Sequence, residues 1–210
     1  MKNVKNENEI EYVNALSRPA TIDAYSNWNE LSETESLFVK KYINSNSKII
    51  DLGCGTGRIV KTLKLNEANY VGIDCSQQMI DAAVKSNPTH KFICDDILNV
   101  TFEPETFDVV LLMNNVVDML NPYERRAALF VICKKILRQH GILIYSSHIL
   151  SKGIVSGYYP EDYHGATVYT YRAMFSQLCA EIENLGFEIT IAARDYRVEK
   201  ADWAYLAAKK

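Results

Sequence analysis

Ile49-Ile50-Asp51-Leu52-Gly53-Cys54-Gly55-Thr56-Gly57-Arg58 gathers three of the chain's nine glycines into five residues, directly after an apolar run. Such a run, breaking into closely spaced glycines, reads as a strand that turns tightly into a helix. Glycine has no Cβ, so it takes positive φ readily and lets a ligand lie against the backbone. The helix that follows presents unpaired N–H groups and the positive end of its dipole. A small polar ligand is expected at this turn. The spacing is G-x-G-x-G, one residue tighter than the G-x-G-x-x-G that seats a pyrophosphate in dinucleotide-binding proteins.

The segments downstream decide what kind of turn this is. Tyr70-Val71-Gly72-Ile73-Asp74 reads as a second strand ending in a carboxylate, one helix after the glycines. Doubly wound sheets place there the acid that accepts hydrogen bonds from ribose hydroxyls. Cys75-Ser76-Gln77-Gln78-Met79-Ile80 leads into a helix, and Phe92-Ile93-Cys94-Asp95-Asp96-Ile97 is a third strand closing on two acids. Phe107-Asp108-Val109-Val110-Leu111-Leu112-Met113-Asn114-Asn115 is a fourth, and Leu137-Arg138-Gln139-His140-Gly141-Ile142-Leu143-Ile144 introduces a fifth.

With Asp51 on the first strand, this succession resembles the motifs of class I S-adenosylmethionine-dependent methyltransferases, in register from about residue 47 to 148 and more loosely beyond. The resemblance implies an α/β, Rossmann-like, doubly wound, mostly parallel seven-stranded sheet with an antiparallel last strand. It implies S-adenosyl-L-methionine as cofactor and S-adenosyl-L-homocysteine as product. By the same resemblance Gly53, Gly55 and Gly57 hold the methionine end and Asp74 the ribose. Met79 or its neighbours, Cys75 among them, flank the adenine, whose amino group meets Asp96 and the backbone of Ile97. Asn114 and Arg58 fall where the aminocarboxypropyl end lies, although Arg58 also reads as an exposed first-turn helix residue.

Composition agrees with an ordinary enzyme domain. A chain of 210 residues is long enough to bury a layered α/β core. Its net charge of −3 and the lack of a basic stripe argue against a nucleic-acid partner. Met1-Lys2-Asn3-Val4-Lys5-Asn6-Glu7 is polar with no apolar stretch behind it, so neither a signal peptide nor a membrane span is expected, and a cytoplasmic location is. Cys54, Cys75, Cys94, Cys133 and Cys179 are scattered, without C-x-x-C or a histidine at ligand spacing. They read as reduced structural cysteines, and no metal is expected.

The whole chain, 1–210, reads as a single methyltransferase domain. Residues 1–46 form a helical cap, with Thr21 and Ser32 as candidate N-caps and Ser32-Glu33-Thr34-Glu35 as a capping box. Residues 47–148 form the cofactor-binding core, with strands near 48–52, 70–74, 91–94, 107–113 and 141–147. Helices fall near 57–65, 77–86 and 121–138, the last with Asn121 as N-cap and Pro122 at its first position. Residues 149–171 form a loop placed to cover a substrate, because ligands of open α/β sheets lie beyond the carboxyl ends of the strands. Residues 172–210 end the sheet with a helix near 172–185 and strands near 187–194 and 202–208, joined through Asp195–Ala201.

The covering loop holds five of the thirteen tyrosines. Tyr158, Tyr159 and Tyr163 are candidates to line the acceptor site together with Asn115. Thr167-Val168-Tyr169-Thr170-Tyr171 reads rather as a strand. In the cap, Arg18, Tyr25 and Trp28 raise a similar choice: the family often covers the methionine moiety with an aromatic from this region, for which Tyr25 is the candidate, but Trp28 can equally pack the cap onto the sheet. His148, at the end of strand five, and His164, in the tyrosine-rich loop, are the candidate general bases.

The chemistry implied is in-line SN2 transfer of a methyl group to an O or N nucleophile of a small molecule. The Asn/Asp-Pro-Pro-aromatic sequence of base N-methylation and the Pro-Cys of cytosine C5 methylation are both absent after strand four, where Asn114-Asn115-Val116-Val117 stands. Two other classes stay open, a non-catalytic binding subunit and another nucleotide-binding transferase or oxidoreductase. The first would be expected to have lost the glycine turn or Asp74, and the second to show other glycine spacing or an acidic pair after strand four.

Overall fold

The computed structural model describes residues 7–150, 154–196 and 202–210. The N-terminal reading over 1–6, positions 151–153 of the expected loop and 197–201 of the last connection lie outside the described residues.

Three helices precede the sheet: α1 (Glu7–Leu16), α2 (Pro19–Asn27) and α3 (Glu33–Tyr42). Ser32 caps α3 through the expected capping box, accepting from Glu35 N while the Glu35 carboxylate accepts from Ser32 N. Thr21 is not a cap. It lies inside α2, whose N-cap is Arg18, because Pro19 takes the first position, where its missing N–H costs nothing.

Strands and helices then alternate: β1 (Ile49–Leu52), α4 (Arg58–Leu63), β2 (Tyr70–Asp74), α5 (Gln77–Ser86), β3 (Lys91–Cys94), β4 (Phe107–Leu112), α6 (Tyr123–Ile136) and β5 (Leu137–Ile149). β6 (Gly157–Tyr163) and β7 (Ala166–Arg172) follow, then α7 (Phe175–Asn184), β8 (Glu188–Tyr196) and β9 (Asp202–Lys209). The main sheet has seven strands in the order β3-β2-β1-β4-β5-β9-β8. β1 to β5 pair in parallel, and β9 runs antiparallel between β5 and β8. This is the doubly wound, mostly parallel sheet with an antiparallel last strand that the sequence implied.

The alternation of side chains along the central strands explains the layers. Ile50, Leu52, Val110, Leu112, Leu143 and Tyr145 point into one core with Leu129, Phe130 and Ile136 of α6 and Leu178 and Ile182 of α7. Ile49, Val109, Leu111 and Ile144 point into the other with Phe38 of α3 and Ile59 and Val60 of α4. Asp51 falls on this second face, a carboxylate in the middle of a strand buried along its whole length.

Two expectations need correction. α6 starts at Tyr123 with Pro122 as N-cap and no side-chain cap; the Asn121 N–H instead donates to Glu9 of α1. The expected covering loop is mostly a β-hairpin, β6 paired with β7. His164 and Gly165 turn it, both at positive φ, as a two-residue hairpin turn favours. Tyr158, Tyr159 and Tyr163 therefore stand on a strand rather than in an irregular segment.

Candidate functional site

A pocket opens at the carboxyl ends of β1, β2 and β4, which is where an open α/β sheet binds its ligand. Asp51, Gly53, Gly55, Arg58, Asp74, Cys75, Met79, Asp96, Ile97, Asn114 and Tyr25 all line it. Gly57 does not; it caps α4 from behind, in the left-handed conformation.

The floor is a turn set by backbone geometry. Gly53, Gly55 and Gly57 have φ of 81°, 54° and 80°. At Gly53 a Cβ would lie 2.2 Å from Cγ2 of Val116, so the turn packs directly on the segment after β4. At Gly55 a Cβ would meet nothing within 4 Å. Asp74 fastens the turn: its carboxylate accepts from Gly55 N at 3.0 Å and from Ser76 N at 2.9 Å, joining the glycine loop to the start of α5. Beneath lies Asp51, which accepts from the Tyr70 hydroxyl at 2.8 Å. Burial pushes its carboxyl up to about 6, against the opposing pull of that hydrogen bond and of Arg58.

At one end of the pocket an ionic chain runs from the cap to the sheet. Arg125 of α6 donates to Glu9 of α1 at 2.8 Å and to Asp96 at 3.3 Å, and all three residues line the cavity. Arg58 is not the exposed helix residue its position allowed. It is buried, pairs with both oxygens of Glu35 at 3.1 and 2.7 Å, donates to the Glu30 carbonyl, and lies 4.2 Å from the Trp28 ring centre. Its guanidinium thus ties α3 and Trp28 to the glycine turn, and Trp28 joins the pocket wall.

The segment after β4 forms another wall. Asn114 and Asn115 both adopt positive φ, 59° and 64°. Asn114 N donates to Ser146 Oγ at 2.7 Å, and Asn114 Oδ1 is buried without a hydrogen-bond partner among the described residues. Behind this wall the Asn115 amide nitrogen lies 3.0 and 3.1 Å from the two ring nitrogens of His148. Asp118 braces the same corner, accepting from Arg126 at 3.0 Å, from Ser147 Oγ and from His148 N. Desolvation raises its carboxyl, opposed by Arg126.

Side chains from distant segments close the top. The Tyr25 and Tyr163 hydroxyls hydrogen bond, Tyr12 packs against Tyr163 with ring centres 5.0 Å apart, and Arg18 donates to the His164 carbonyl. Asn8 pairs with the backbone of Tyr169 in both directions. Of the acceptor-side candidates, Tyr163 touches the lining residues Tyr12 and Tyr25 without lining the cavity, and the His164 ring lies tilted against that of Tyr25, with centres 6.1 Å apart. Tyr158 donates to the Leu120 carbonyl, Tyr159 to that of Val155, and Asn115 and His148 stand behind the Asn114 wall. None of these six lines the pocket. Residues the sequence did not single out do, among them Glu9, Tyr12, Leu16, Thr56, Met119 and Arg125. Thr56 alone carried a signal, lying inside the glycine motif. Among the described residues no group of three or more His, Cys, Asp or Glu could hold a metal ion.

Residues 49–141 match the family model of the methyltransferase domain. The chain is 28% identical over 132 residues to the carboxy-S-adenosyl-L-methionine synthase of Shewanella denitrificans, covering 58% of this chain and 53% of that protein. It is 30% identical over 110 residues to the ubiquinone/menaquinone biosynthesis C-methyltransferase UbiE of Campylobacter jejuni, covering 49% and 45%. The chain thus spans about half the length of the curated relatives it matches. Among solved structures it resembles the 1,6-didemethyltoxoflavin-N1-methyltransferase of Burkholderia thailandensis, crystallised with 1,6-didemethyltoxoflavin and S-adenosylhomocysteine. There the TM-score is 0.74 at 13% identity, over 100% of this chain and 92% of that one. With the glycine turn, the strand order and the acid at the end of β2 in place, the chain is similar to S-adenosylmethionine-dependent methyltransferases in the segment the family model matches and in its fold.

Proposed function

We propose that this chain is a single-domain enzyme that transfers a methyl group from S-adenosylmethionine to an O or N nucleophile of a small molecule, in the cytoplasm and without a metal. The observation that carries the reading is the pocket at the carboxyl edge, where the glycine turn, Asp74, Asp96 and Asn114 converge. Two details fit the cofactor. Asn114 Oδ1 is a buried acceptor still lacking a donor, and the face of Gly55 opens onto space that a ligand can fill. The relatives' names and the bound S-adenosylhomocysteine of the structural neighbour agree with this, and the free cysteines suit a reducing compartment.

When bound, the cofactor supplies a methyl carbon activated by its positive sulfur. The protein's part is then alignment and proton removal. Asp74 would hold the ribose hydroxyls, the glycine turn and Asn114 the methionine end, and Met79, Asp96 and Ile97 the adenine. Tyr25 and Trp28 would shield the reacting end from water. His148 would take the acceptor's proton, with His164 as the other histidine on this side.

Calorimetry with S-adenosylhomocysteine tests the reading. Saturation at ~100 times the dissociation constant should stabilise the wild type by roughly 2.7 kcal/mol. Asp74→Ala should weaken binding about ten- to a hundredfold, or roughly 1.5–3 kcal/mol. Because Asp74 also fastens the turn, unfolding is measured on the same sample. Unchanged affinity in a folded variant would remove Asp74 from the site, and no binding by the wild type would overturn the reading.

A further inference from the structure

A second cluster of ionisable side chains lies between the end of β5 and the hairpin. Glu161 of β6 points one oxygen, Oε2, at three groups: Arg172 Nη2 at 3.1 Å, Thr170 Oγ1 at 3.2 Å and His148 Nδ1 at 3.9 Å. Arg172 also donates to Thr170 Oγ1, so the carboxylate is held from β7. The Asn115 amide and the Trp203 ring, 4.2 Å from the imidazole centre, flank His148, while Asp118, itself paired with Arg126, accepts its backbone N–H. His148 is 6% exposed, whereas Glu161 keeps 23% of its side chain in solvent, so the cluster is open from the hairpin side.

A carboxylate 3.9 Å from an imidazole is too far for a hydrogen bond, yet well placed to stabilise an imidazolium. We propose that Glu161 is a positioning residue that holds His148 as the acceptor-side base, and that the acceptor accordingly presents its nucleophile as an O–H or N–H rather than as a carboxylate. The inference rests on the transferase reading. In the step it serves, a lone pair of the acceptor oxygen or nitrogen forms the bond to the methyl carbon. The carbon–sulfur pair returns to sulfur to leave a neutral thioether, and the acceptor's proton passes to His148. The new imidazolium then faces Glu161. A carboxylate acceptor has no proton to lose and would make the pair redundant.

The sign of the coupling is testable without knowing the acceptor. Imidazole 1H–15N correlations of the 15N-labelled full chain, with His148 assigned by its loss in His148→Asn, follow protonation directly. Glu161→Gln, which keeps an acceptor for Thr170 and Arg172, should lower the His148 midpoint by about one pH unit, a tenfold loss of proton affinity. Arg172→Gln removes the competing cation and should raise it. Opposite shifts show that the imidazole is coupled to the carboxylate and to its competing cation. S-adenosylhomocysteine affinity, measured by calorimetry on the same proteins, should stay within about threefold. If both midpoints match wild type while S-adenosylhomocysteine still binds, the Glu161 proposal is overturned and the transferase reading stands. If the wild type does not bind S-adenosylhomocysteine, both are overturned.

Discussion

The floor and the roof of the pocket are built by different physics. The floor is made by shorter-range contacts: three glycines within five residues at positive φ, and a carboxylate 19 residues after Gly55 that accepts from its amide and from that of Ser76. The roof is made by side chains far apart in the chain. Asn8 meets Tyr169 at a separation of 161 residues, Arg18 meets His164 at 146, and Tyr25 meets Tyr163 at 138. The Asn8 and Arg18 contacts are solvent-exposed and the tyrosine pair is only part-buried, whereas the floor sits on strands buried on both faces. A binding site thus joins a half that local sequence dictates to a half that exists only once the chain has closed on itself, and the second half is expected to open without unfolding the first.

The largest expected effect is on the floor. Gly53→Ala forces a Cβ to within 2.2 Å of Val116 at a φ of 81°. Left-handed strain and overpacking together should cost about 3–4 kcal/mol. Gly55→Ala, with nothing within 4 Å of its Cβ, carries only the conformational part, about 1 kcal/mol. It should nonetheless lose S-adenosylhomocysteine affinity, because the added methyl stands where the ligand approaches. Urea unfolding separates the two, and equal losses of stability would mean that the turn tolerates no distinction between packing and access.

What the sequence disclosed follows the same division. The glycine spacing, the acids closing β2 and β3 and the succession of strands along the chain were legible because each depends on neighbours in the chain and on alternation within one strand. Asp51 was legible as a motif position but not as a buried acid, since its environment comes from Tyr70 and the faces of α3 and α4. Arg58 was legible as a motif position, but its burial was not, for a related reason. First-turn arginines usually face solvent, and only the arrival of Glu35, 23 residues earlier in the chain, makes burial possible. The hairpin carried a local signal, His164-Gly165 between tyrosine-rich runs, but Pro160 obscured it, because proline inside a run argues against a strand unless that strand lies at an edge. Glu9, Tyr12 and Arg125 had no signal, as nothing in a helix sequence says which cavity it will border.

Asp51 gives the next largest effect and tests how the floor is charged. Its carboxyl is raised from 3.8 to about 6 by burial. Below about pH 4 it is protonated in both folded and unfolded chains and costs nothing. Between about pH 4 and 6 the folded protein keeps a proton that the unfolded chain has lost, so stability falls as pH rises. Above about pH 6 the full penalty is present, on the order of 2–3 kcal/mol. Asp51→Asn should therefore be more stable than wild type at pH 7 by up to that amount, and the gain should vanish by about pH 4. Urea titrations across this range check it. A pH-independent difference would mean that Asp51 stays ionised in the folded protein and that Tyr70 and Arg58 outweigh its burial.

The smallest effect on stability belongs to the roof, and it is the one that most sharpens the contrast. Asn8→Ala removes both hydrogen bonds to Tyr169, and Tyr163→Phe removes the hydroxyl contact with Tyr25. Exposed or part-buried hydrogen bonds of this kind contribute about 0.5–1.5 kcal/mol each, and local opening costs less than global unfolding. Solvent-exposed bonds fall at the low end of that range, so losing the two in Asn8→Ala, or the single part-buried one in Tyr163→Phe, should cost only about 1 kcal/mol in urea. Hydrogen exchange should report more. The Tyr169 amide, which donates to Asn8 Oδ1, should exchange faster in Asn8→Ala, while amides of β1 and β4 stay as protected as in wild type. Release of S-adenosylhomocysteine, followed through Trp28 in the pocket wall, should quicken several-fold in both variants with a smaller change in its association rate. If Asn8→Ala were instead as destabilising as Gly53→Ala, or if β1 lost protection along with Tyr169, the cap and hairpin would belong to the same cooperative unit as the sheet. The roof would then be as rigid as the floor.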